Sequence, residues 1–400
     1  MMGKKRVLFI THLYFPALGG AERVFQKMAE GLAKRGHDVT VLTSDALSTE
    51  EYFHNIQNKL PEDDTLNGVH IIRQELATNI YKVLNIFHRI SRLRGVGTLF
   101  SPLLFGPHFY KKYFIILKQD FDVIIAGPTP TSTLFYGFLF KKKHPNSRFV
   151  IFPCMHIEDR LHTSPVNIWV LKKAELIFAL TGVEKKYLIS RGIKNGAVKK
   201  FACGVDDIFL RSPFEKNPNI KDYVLYLGQE GGHKQIPSLI KAMEIIWARG
   251  YKNKLIIAGA RTKFSPILDE LIKKLPKIHN SNIVRINNFS EEQKVKLIDN
   301  CSVLVNPSSY ESFGIVFLEA WARKKPVIGA NISALKEIIK DGINGFLFDP
   351  KIEGDLEAKI IQLLSDRDKA KELGNAGFAD VQERYMWNKL LDRLDKMLET

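Results

Sequence analysis

Two glutamates near residue 315 have the types and spacing best suited to bind a ligand. Glu311 and Glu319 flank a Phe-Gly pair in the segment NPSSYESFGIVFLEAWARKKPVIGA, residues 306–330. The run Cys301–Asn306 predicts a short buried strand, and Ile315–Arg323 predicts an apolar helix. Glu311 then lies at the carboxyl end of a strand, where open α/β sheets bind ligands, whereas Glu319 lies among apolar residues. A buried carboxylate needs partners, and a pair of ligand hydroxyls would provide them.

The start of this helix is the second feature of the segment. The N–H groups from Gly314 to Phe317 lack acceptors within the helix, and together with the helix dipole they favour a phosphate or a sugar oxygen. The segment therefore predicts a site for a polyhydroxylated, phosphorylated ligand. The alternative is two solvated glutamates on a surface helix.

Three more groups of residues follow predicted strands. The run GGAE at residues 19–22 opens the first helix, and its two glycines let the backbone approach a ligand closely. His156 ends the run FVIFPCMH, and Lys234 ends the glycine-rich stretch LGQEGGHK. Taken alone, each has a structural explanation: a turn, a structural histidine and a surface lysine.

The same motifs resemble a known family. The pattern ESFGIVFLE, preceded by NPS and followed by the strand PVI, is similar to the signature of glycosyltransferase family 4, the retaining enzymes of GT-B architecture. The resemblance covers nearly the whole chain and is strongest in its second half. It implies an α/β fold with two Rossmann-like, doubly wound domains facing across a cleft, and a C-terminal helix that crosses back to the first domain.

The resemblance assigns roles to the glutamate motif. It implies that Glu311 contacts the transferred sugar as a catalytic group and that Glu319 takes the ribose hydroxyls. The amides of Phe313, Gly314 and Ile315 would bind oxygens of the sugar or of the β-phosphate.

The glycine-rich stretch matches the family only in part. The family usually has an arginine after the first glycine and a lysine five residues later, and both clamp the donor diphosphate. Lys234 matches in position and charge, but Gln229 stands where the arginine is expected. Loss of one charge-assisted hydrogen bond costs roughly 1.5–3 kcal/mol unless it is compensated. Lys234 is therefore expected to carry most of the diphosphate binding and leaving-group stabilisation.

In the first half, the resemblance places Gly20 near the donor diphosphate and Gly19 and Glu22 on the acceptor side. It places His156 near the donor sugar, where a histidine can donate a hydrogen bond or stabilise developing charge. In the second half, Ala258-Gly259 and the run Asn287–Phe289 would frame the nucleotide base.

No metal or other cofactor is expected. The acidic pair Asp63-Asp64 and the Asp366, Asp368 pair stand in polar loop or helix context, and the resembling architecture usually works without a metal.

Both halves alternate short β-rich runs with helical ones, which favours parallel βαβ units. A domain boundary is predicted after residue 206, because the segment that follows is polar and carries two prolines. The resemblance implies that the end of the chain returns to the first domain, so the predicted domains are 1–206 with 384–400, and 207–383. The second domain's predicted strands are Tyr223–Leu227, Leu255–Ala258, Ile283–Ile286, Ser302–Asn306 and Pro326–Gly329.

Composition narrows the possible partners. The net charge of +16 indicates an anionic partner, but it is spread over both halves and no nucleic-acid motif is present. The segment 79–118 has basic residues among apolar and aromatic ones and no acidic residue, which predicts docking on an anionic membrane; a core helix with a basic face is the alternative.

Three scattered cysteines in apolar runs predict buried thiols in a reducing compartment. No apolar run is long enough to span a bilayer. A cytoplasmic protein, peripheral on the membrane, is expected.

The expected reaction is retaining transfer of a sugar from a nucleoside diphosphate-sugar to a lipid-linked or glycan acceptor. Two alternatives stay open: a nucleotide-sugar epimerase on the same architecture, and a catalytically silent protein that binds sugar or membrane. The nucleotide base, the sugar, the acceptor and the linkage do not follow from the sequence.

Overall fold

A computed structural model describes residues 3–17, 19–48, 51, 60–75, 106–214 and 222–399. Its contacts divide the chain into two units, Met1–Ala202 with Leu390–Thr400, and Cys203–Lys389. The predicted boundaries lie a few residues away, at 206/207 and 383/384. Most of the basic segment predicted to dock on a membrane, residues 79–105, lies outside the described residues.

The first unit is built on one eight-stranded sheet. Its strands are β1 Arg6–Ile10, β2 Asp38–Ser44, β3 Asp63–Leu66, β4 Val69–Gln74, β5 Val123–Ala126, β6 Arg148–Ile151, β7 Leu176–Ala179 and β8 Val198–Lys200. They lie in the order β3-β4-β2-β1-β5-β6-β7-β8, and every pair is parallel except β3 with β4. The central strands are almost wholly buried, which is typical of parallel sheets covered on both faces.

Helices connect these strands. They are α1 Gly20–Lys34, α2 Lys111–Ile116, α3 Thr133–Lys143, α4 Pro165–Leu171 and α5 Gly182–Ser190. In α1, buried Phe25, Met28 and Leu32 recur at helical spacing, so one face of the helix packs on the core.

The second unit is built on a six-stranded, wholly parallel sheet in the order β11-β10-β9-β12-β13-β14. Its strands are β9 Tyr223–Leu227, β10 Leu255–Ala258, β11 Ile283–Ile286, β12 Cys301–Asn306, β13 Val327–Ala330 and β14 Phe346–Phe348. Its helices are α6 Asp207–Arg211, α7 Ile236–Ala248, α8 Ser265–Lys273, α9 Lys277–Asn280, α10 Glu291–Asn300, α11 Ile315–Ala322, α12 Leu335–Ile338, α13 Asp355–Ser365 and α14 Arg367–Arg384.

The last helix, α15 Trp387–Glu399, begins in the second unit, and its residues from Leu390 onward belong to the first. Leu391 packs so closely on Gly31 that a β-carbon there would lie 2.4 Å from its methyl group. Arg35 pairs with Asp392 at 2.7 Å and with Asp395 at 3.1 Å.

The prediction that Asp63 and Asp64 lie in a loop or helix is wrong, because they begin the antiparallel edge strand β3. All three cysteines are buried thiols, as predicted, and none forms a disulfide with another described residue. Among the helices that the structure describes, none is both long and apolar enough to cross a membrane.

Candidate functional site

Lys234 and Glu311, two of the predicted site residues, come together at the carboxyl ends of two neighbouring strands of the second unit. Strands β9 and β12 pair in parallel, so the loops that follow them lie side by side. Lys234 follows β9, and its ammonium forms an ion pair with Glu311, which follows β12. The hydroxyl of Ser308 donates a second hydrogen bond to the same carboxylate oxygen at 2.9 Å. The two predicted catalytic groups of this unit are therefore in direct contact.

A second set of contacts fixes these loops. The rings of His233 and Tyr310 are stacked, with centroids 4.7 Å apart and planes 14° apart. The backbone N–H of Ser309 donates to the His233 carbonyl at 2.8 Å, and its hydroxyl donates to the same oxygen at 3.1 Å. These contacts hold His233, the residue before Lys234, against the loop that carries Glu311.

The glycine-rich loop also lies against the end of β10. A β-carbon at Gly259 would lie 1.8 Å from the carbonyl oxygen of Gly228, so only glycine fits there. Gly228 itself has a φ of +147°. Gln229 is exposed beside this contact.

The turn into α11 requires glycine as well. Gly314 has a φ of +88°, and a β-carbon there would approach the ring of Phe317 to 2.7 Å. Phe313 is buried with its ring edge-on to Tyr385 at 5.9 Å. The N–H of Phe317 donates to the Gly314 carbonyl at 3.1 Å, so the prediction of free amides through Phe317 is wrong at that position. The N–H of Ile315 has no intrahelical acceptor.

Glu319 is buried in α11, and its two oxygens differ. Oε1 lies 2.6 Å from the ammonium of Lys294 on α10, whereas Oε2 is buried and has no hydrogen-bond partner among the described residues. Burial raises the pKa of the Glu319 carboxyl, although the charge of Lys294 acts against it. The Lys294 ammonium also lies 5.2 Å from the centroid of the Phe209 ring. Buried polar atoms usually have a hydrogen-bond partner, and a ligand hydroxyl could donate to this oxygen.

A buried ion pair next to Gln229 escaped prediction. Glu230 is fully buried, and Arg285 on β11 binds both of its carboxylate oxygens, with the Nε contact at 3.0 Å. Arg285 also contacts Asp269 on α8. Because both carboxylates bind the guanidinium of Arg285, this side chain holds the loop in place. Its charge is already neutralised, so it does not replace the arginine that is expected at position 229.

The run predicted to frame the base follows β11. Asn287 has a buried side-chain oxygen with no hydrogen-bond partner among the described residues, and Asn288 has a φ of +55°. Phe289 is half-buried. The assignment of these residues and of Ala258-Gly259 to the base stays a prediction.

In the first unit, Gly19 precedes α1 and Gly20 begins it. Glu22 in the first turn is paired with His12 after β1, with Nε2 and Oε1 3.0 Å apart. Burial opposes ionisation of Glu22, but the hydrogen bond and charge of His12 outweigh it and hold the pKa of the carboxyl below its usual value. A β-carbon at Gly19 would lie 2.1 Å from the other Glu22 oxygen, so this carboxylate folds back over the glycine.

His156 follows β6 and is half-buried. Its ring lies edge-on to His162, with centroids 5.0 Å apart. Burial, and secondarily His156, lower the pKa of His162 to about 3, so His162 is neutral at physiological pH. Nδ1 of His162 lies 2.8 Å from the hydroxyl of Thr129. His156 is thus supported by a neutral imidazole that is itself held in place.

Glu184 on α5 was not predicted and is also buried. It accepts the backbone N–H of Met155 at 3.2 Å and that of Leu180 at 2.7 Å, which joins the chain before His156 to the end of β7. Burial raises the pKa of Glu184 to about 7, although the two hydrogen bonds oppose this.

Among the described residues, no three His, Cys, Asp or Glu side chains are grouped to hold a metal ion. The expectation that no metal is required stays a prediction.

Two family models match the chain, one for each half. Residues 18–208 match the model described as Glycosyltransferase Family 4, and residues 210–380 match the model described as Glycosyl transferases group 1.

Relatives match over nearly the full length. The chain is 27% identical over 381 residues to the capsular polysaccharide biosynthesis glycosyltransferase CapM of Staphylococcus aureus, covering 93% of this chain and 92% of CapM. It is 26% identical over 398 residues to the O-antigen chain mannosyltransferase B of Escherichia coli, covering 96% of each.

Solved structures share the fold. The structure of Anabaena HepE in complex with UDP-glucose matches with a TM-score of 0.70 over 99% of both chains, at 17% identity. Three findings indicate the same family: the two parallel α/β units, the two adjoining family models and the full-length glycosyltransferase relatives. The chain belongs to glycosyltransferase family 4 and is a glycosyltransferase with the GT-B fold.

Proposed function

We propose that the protein transfers a sugar from a nucleoside diphosphate-sugar to an acceptor hydroxyl with retention of the anomeric configuration. The observation that carries this proposal is the arrangement in the second unit, where Lys234 contacts Glu311 and the nearby helix α11 carries buried Glu319. It offers a cation for a diphosphate, a carboxylate for a sugar and a second carboxylate for a ribose.

The donor binds in three parts. Glu319 accepts a ribose hydroxyl through Oε2, which has no other partner among the described residues. The N–H groups at the start of α11, around Gly314 and Ile315, bind phosphate or sugar oxygens with the help of the helix dipole. Lys234 exchanges part of its contact with Glu311 for the diphosphate, and Glu311 then accepts a hydroxyl of the transferred sugar.

In the reaction, the acceptor oxygen forms a bond to the anomeric carbon while the bond to the β-phosphate oxygen breaks. The proton of the acceptor hydroxyl passes to the departing diphosphate on the same face. Lys234 and the α11 amides stabilise the negative charge that develops there. This route retains the anomeric configuration without a covalent intermediate. In glycoside hydrolases the distance between two carboxylates predicts retention or inversion, but that rule does not apply to Glu311 and Glu319. His156 assists by donating a hydrogen bond to the sugar.

The relatives support the class of acceptor. CapM and the O-antigen chain mannosyltransferase are named for capsular polysaccharide and O-antigen chains. HepE was solved with UDP-glucose, which supports a nucleotide-sugar donor. We assign to this protein a lipid-linked or glycan acceptor that it meets at the cytoplasmic face of a membrane.

Gln229 favours a second candidate, a silent protein that binds sugar nucleotides without turnover. Its neutral side chain is exposed where the family usually has an arginine. Without that charge, the diphosphate is bound and stabilised as a leaving group by fewer cations.

Product analysis tests the proposal. The wild-type protein is incubated with UDP-, GDP- and ADP-sugars, with and without membrane extract as acceptor source, and NMR identifies the products and the anomeric configuration. Transfer with retained configuration, or slow release of free sugar and nucleoside diphosphate, is expected, and Lys234→Ala should lower either rate about 100-fold. A new nucleotide-sugar isomer would indicate an epimerase instead. Tight binding without turnover would indicate the silent protein.

A further inference from the structure

A basic groove lies in the first unit between α4 and α5, outside the residues assigned to the donor or acceptor. We define it by Trp169, Lys172, Lys173 and Arg191, which gather at the C-terminal ends of these helices. Trp169, Lys172 and Arg191 line one shallow, open depression together with Gly192. The ammonium of Lys172 would lie 3.2 Å from a β-carbon at Gly192, so the two helices place it directly over that turn.

The charge of this region is strongly one-sided. Residues 172–200 contain eight lysines and arginines and two glutamates. Neither glutamate neutralises the groove, because Glu175 pairs with Lys141 at 2.5 Å and Glu184 is buried on backbone N–H groups. In the part of the chain that the structure describes, Lys172, Lys173 and Arg191 are exposed and form no ion pair with a carboxylate.

Protection of a sheet edge explains only part of this charge. Lys199 and Lys200 lie on β8, the last strand of the sheet, where lysines discourage pairing with another chain. The groove cations lie at the ends of covering helices, where no strand edge needs protection. Lys172 and Arg191 line the depression and Lys173 lies beside its tryptophan, so an anionic partner there would relieve the repulsion between these like charges.

Trp169 gives the groove an apolar component. Its ring is 45% exposed and rests edge-on against Phe138, with centroids 5.0 Å apart. The ammonium of Lys173 lies 5.5 Å from its centroid. The amphipathic ring of an exposed tryptophan suits the membrane–water interface, and neighbouring lysines attract anionic lipid headgroups. Peripheral proteins contact anionic bilayers through this combination.

We propose that the basic groove docks the first unit on an anionic lipid bilayer. An open depression with cations on flexible stems fits many headgroups at once, whereas a single phosphate would need enclosing, directed donors. Single-stranded nucleic acid would need a series of stacking rings along a groove, and here one tryptophan is present among the defining residues. The proposal does not rest on the assigned reaction, because vesicle binding is measured without donor or acceptor.

The experiment measures co-sedimentation of the full chain with vesicles of phosphatidylcholine alone or with 30% phosphatidylglycerol. The test variant is Lys172→Glu/Lys173→Glu/Arg191→Glu. The matched control is Lys252→Glu/Lys273→Glu/Lys277→Glu, which makes the same charge change at exposed lysines of the second unit. Wild type and control should bind the anionic vesicles, and the groove variant should bind about 100-fold more weakly, since each basic residue at the surface contributes about 1 kcal/mol.

Two further variants keep the test decisive if charge reversal impairs folding. One is the neutral triple variant Lys172→Gln/Lys173→Gln/Arg191→Gln, and the other is Trp169→Ala alone. Each should reduce vesicle binding at least 10-fold while its melting temperature stays that of the wild type. Equal loss in the groove variant and the control would overturn the proposal, because net charge alone would then explain binding. Equal binding to neutral vesicles would overturn it too. Groove-dependent binding to a soluble polyanion such as single-stranded RNA, with no binding to vesicles, would identify another partner and reject the bilayer.

Discussion

The ammonium of Lys294 lies 2.6 Å from Oε1 of Glu319, and both side chains are largely buried. This contact commits one oxygen of the carboxylate and leaves Oε2 without a partner among the described residues. Lys294 thus favours the ionised form of Glu319 against the effect of burial and leaves one of its two oxygens as an open acceptor.

Replacement of Lys294 by Met should destabilise the protein in a pH-dependent way. Burial already raises the pKa of Glu319, and loss of the lysine charge raises it further. A carboxyl with a raised pKa in the folded state stabilises that state at low pH and loses this contribution as the pH rises. Removal of one partner of a buried pair should cost about 3 kcal/mol at pH 8.

Urea midpoints at pH 5, 6.5 and 8 measure this effect. The difference between wild type and Lys294→Met should shrink as the pH falls, because the carboxyl takes up a proton and no longer needs the lysine charge. The double variant Lys294→Met/Glu319→Gln is the control and should regain much of the stability. A loss that is the same at every pH would contradict the pairing.

Gln229→Arg should strengthen diphosphate binding. Gln229 is exposed, so an arginine fits without repacking, and its guanidinium adds a charge-assisted hydrogen bond to a bound diphosphate. Such a bond contributes about 1.5 kcal/mol or more, which is roughly tenfold in affinity. Isothermal titration with a nucleoside diphosphate and the matching nucleoside separates the effects, since affinity for the nucleoside should not change. An equal gain for both ligands would argue against a diphosphate next to residue 229.

Gly259→Ala should be severely destabilising. Its β-carbon would lie 1.8 Å from the backbone oxygen of Gly228, which cannot move without displacing the glycine-rich loop. Overpacking of this kind costs about 3 kcal/mol or more. Gly196→Ala, where a β-carbon meets nothing within 4 Å, should change the melting temperature by less than a degree. A Gly259→Ala protein as stable as wild type would show that the two loops are not in contact.

Glu184 should make part of the stability depend on pH in the neutral range. Its pKa is raised to about 7 in the folded protein, so its proton stabilises the folded state at low pH and this contribution is lost between about pH 5 and 8. The lost contribution is about 3 kcal/mol. The cost of Glu184→Gln should therefore be larger at pH 5.5 than at pH 8, as thermal unfolding at both values measures. A cost that rises with pH would indicate that the carboxyl titrates well below 7.

The local signals in the sequence predict much of the fold and of the donor residues. Val123–Ala126 and Tyr223–Leu227 are strands with the predicted bounds, because buried parallel strands are continuous apolar runs between polar loops. The strand, loop and helix around Glu311 and Glu319 also follow the prediction, with the helix ending at Ala322.

What escapes prediction depends on contacts between distant residues. The strand β3, with the sequence DDTL, has three polar residues out of four and pairs with β4, so its sequence resembles a loop. Lys294 stands on a polar helix with no motif around it, and only packing of α10 beside α11 brings it to Glu319. Glu184 has a helix-start spacing with Thr181, and the N–H of Leu180 just before that helix donates to it, yet its other donor, the N–H of Met155, belongs to a distant segment.

Ligand-induced thermal stabilisation tests the central claim, that the second unit binds a nucleoside diphosphate-sugar through Glu319. Wild type, Glu319→Gln and the control Glu353→Gln, at an exposed carboxylate of the same unit, are melted with UDP, GDP, ADP and their sugar conjugates. A ligand at 100 times its Kd adds about 2.7 kcal/mol of stability, or several degrees. We predict that one nucleoside diphosphate and its conjugate stabilise wild type and Glu353→Gln but not Glu319→Gln. No stabilisation of wild type by any of them, or equal stabilisation of Glu319→Gln, would contradict the claim.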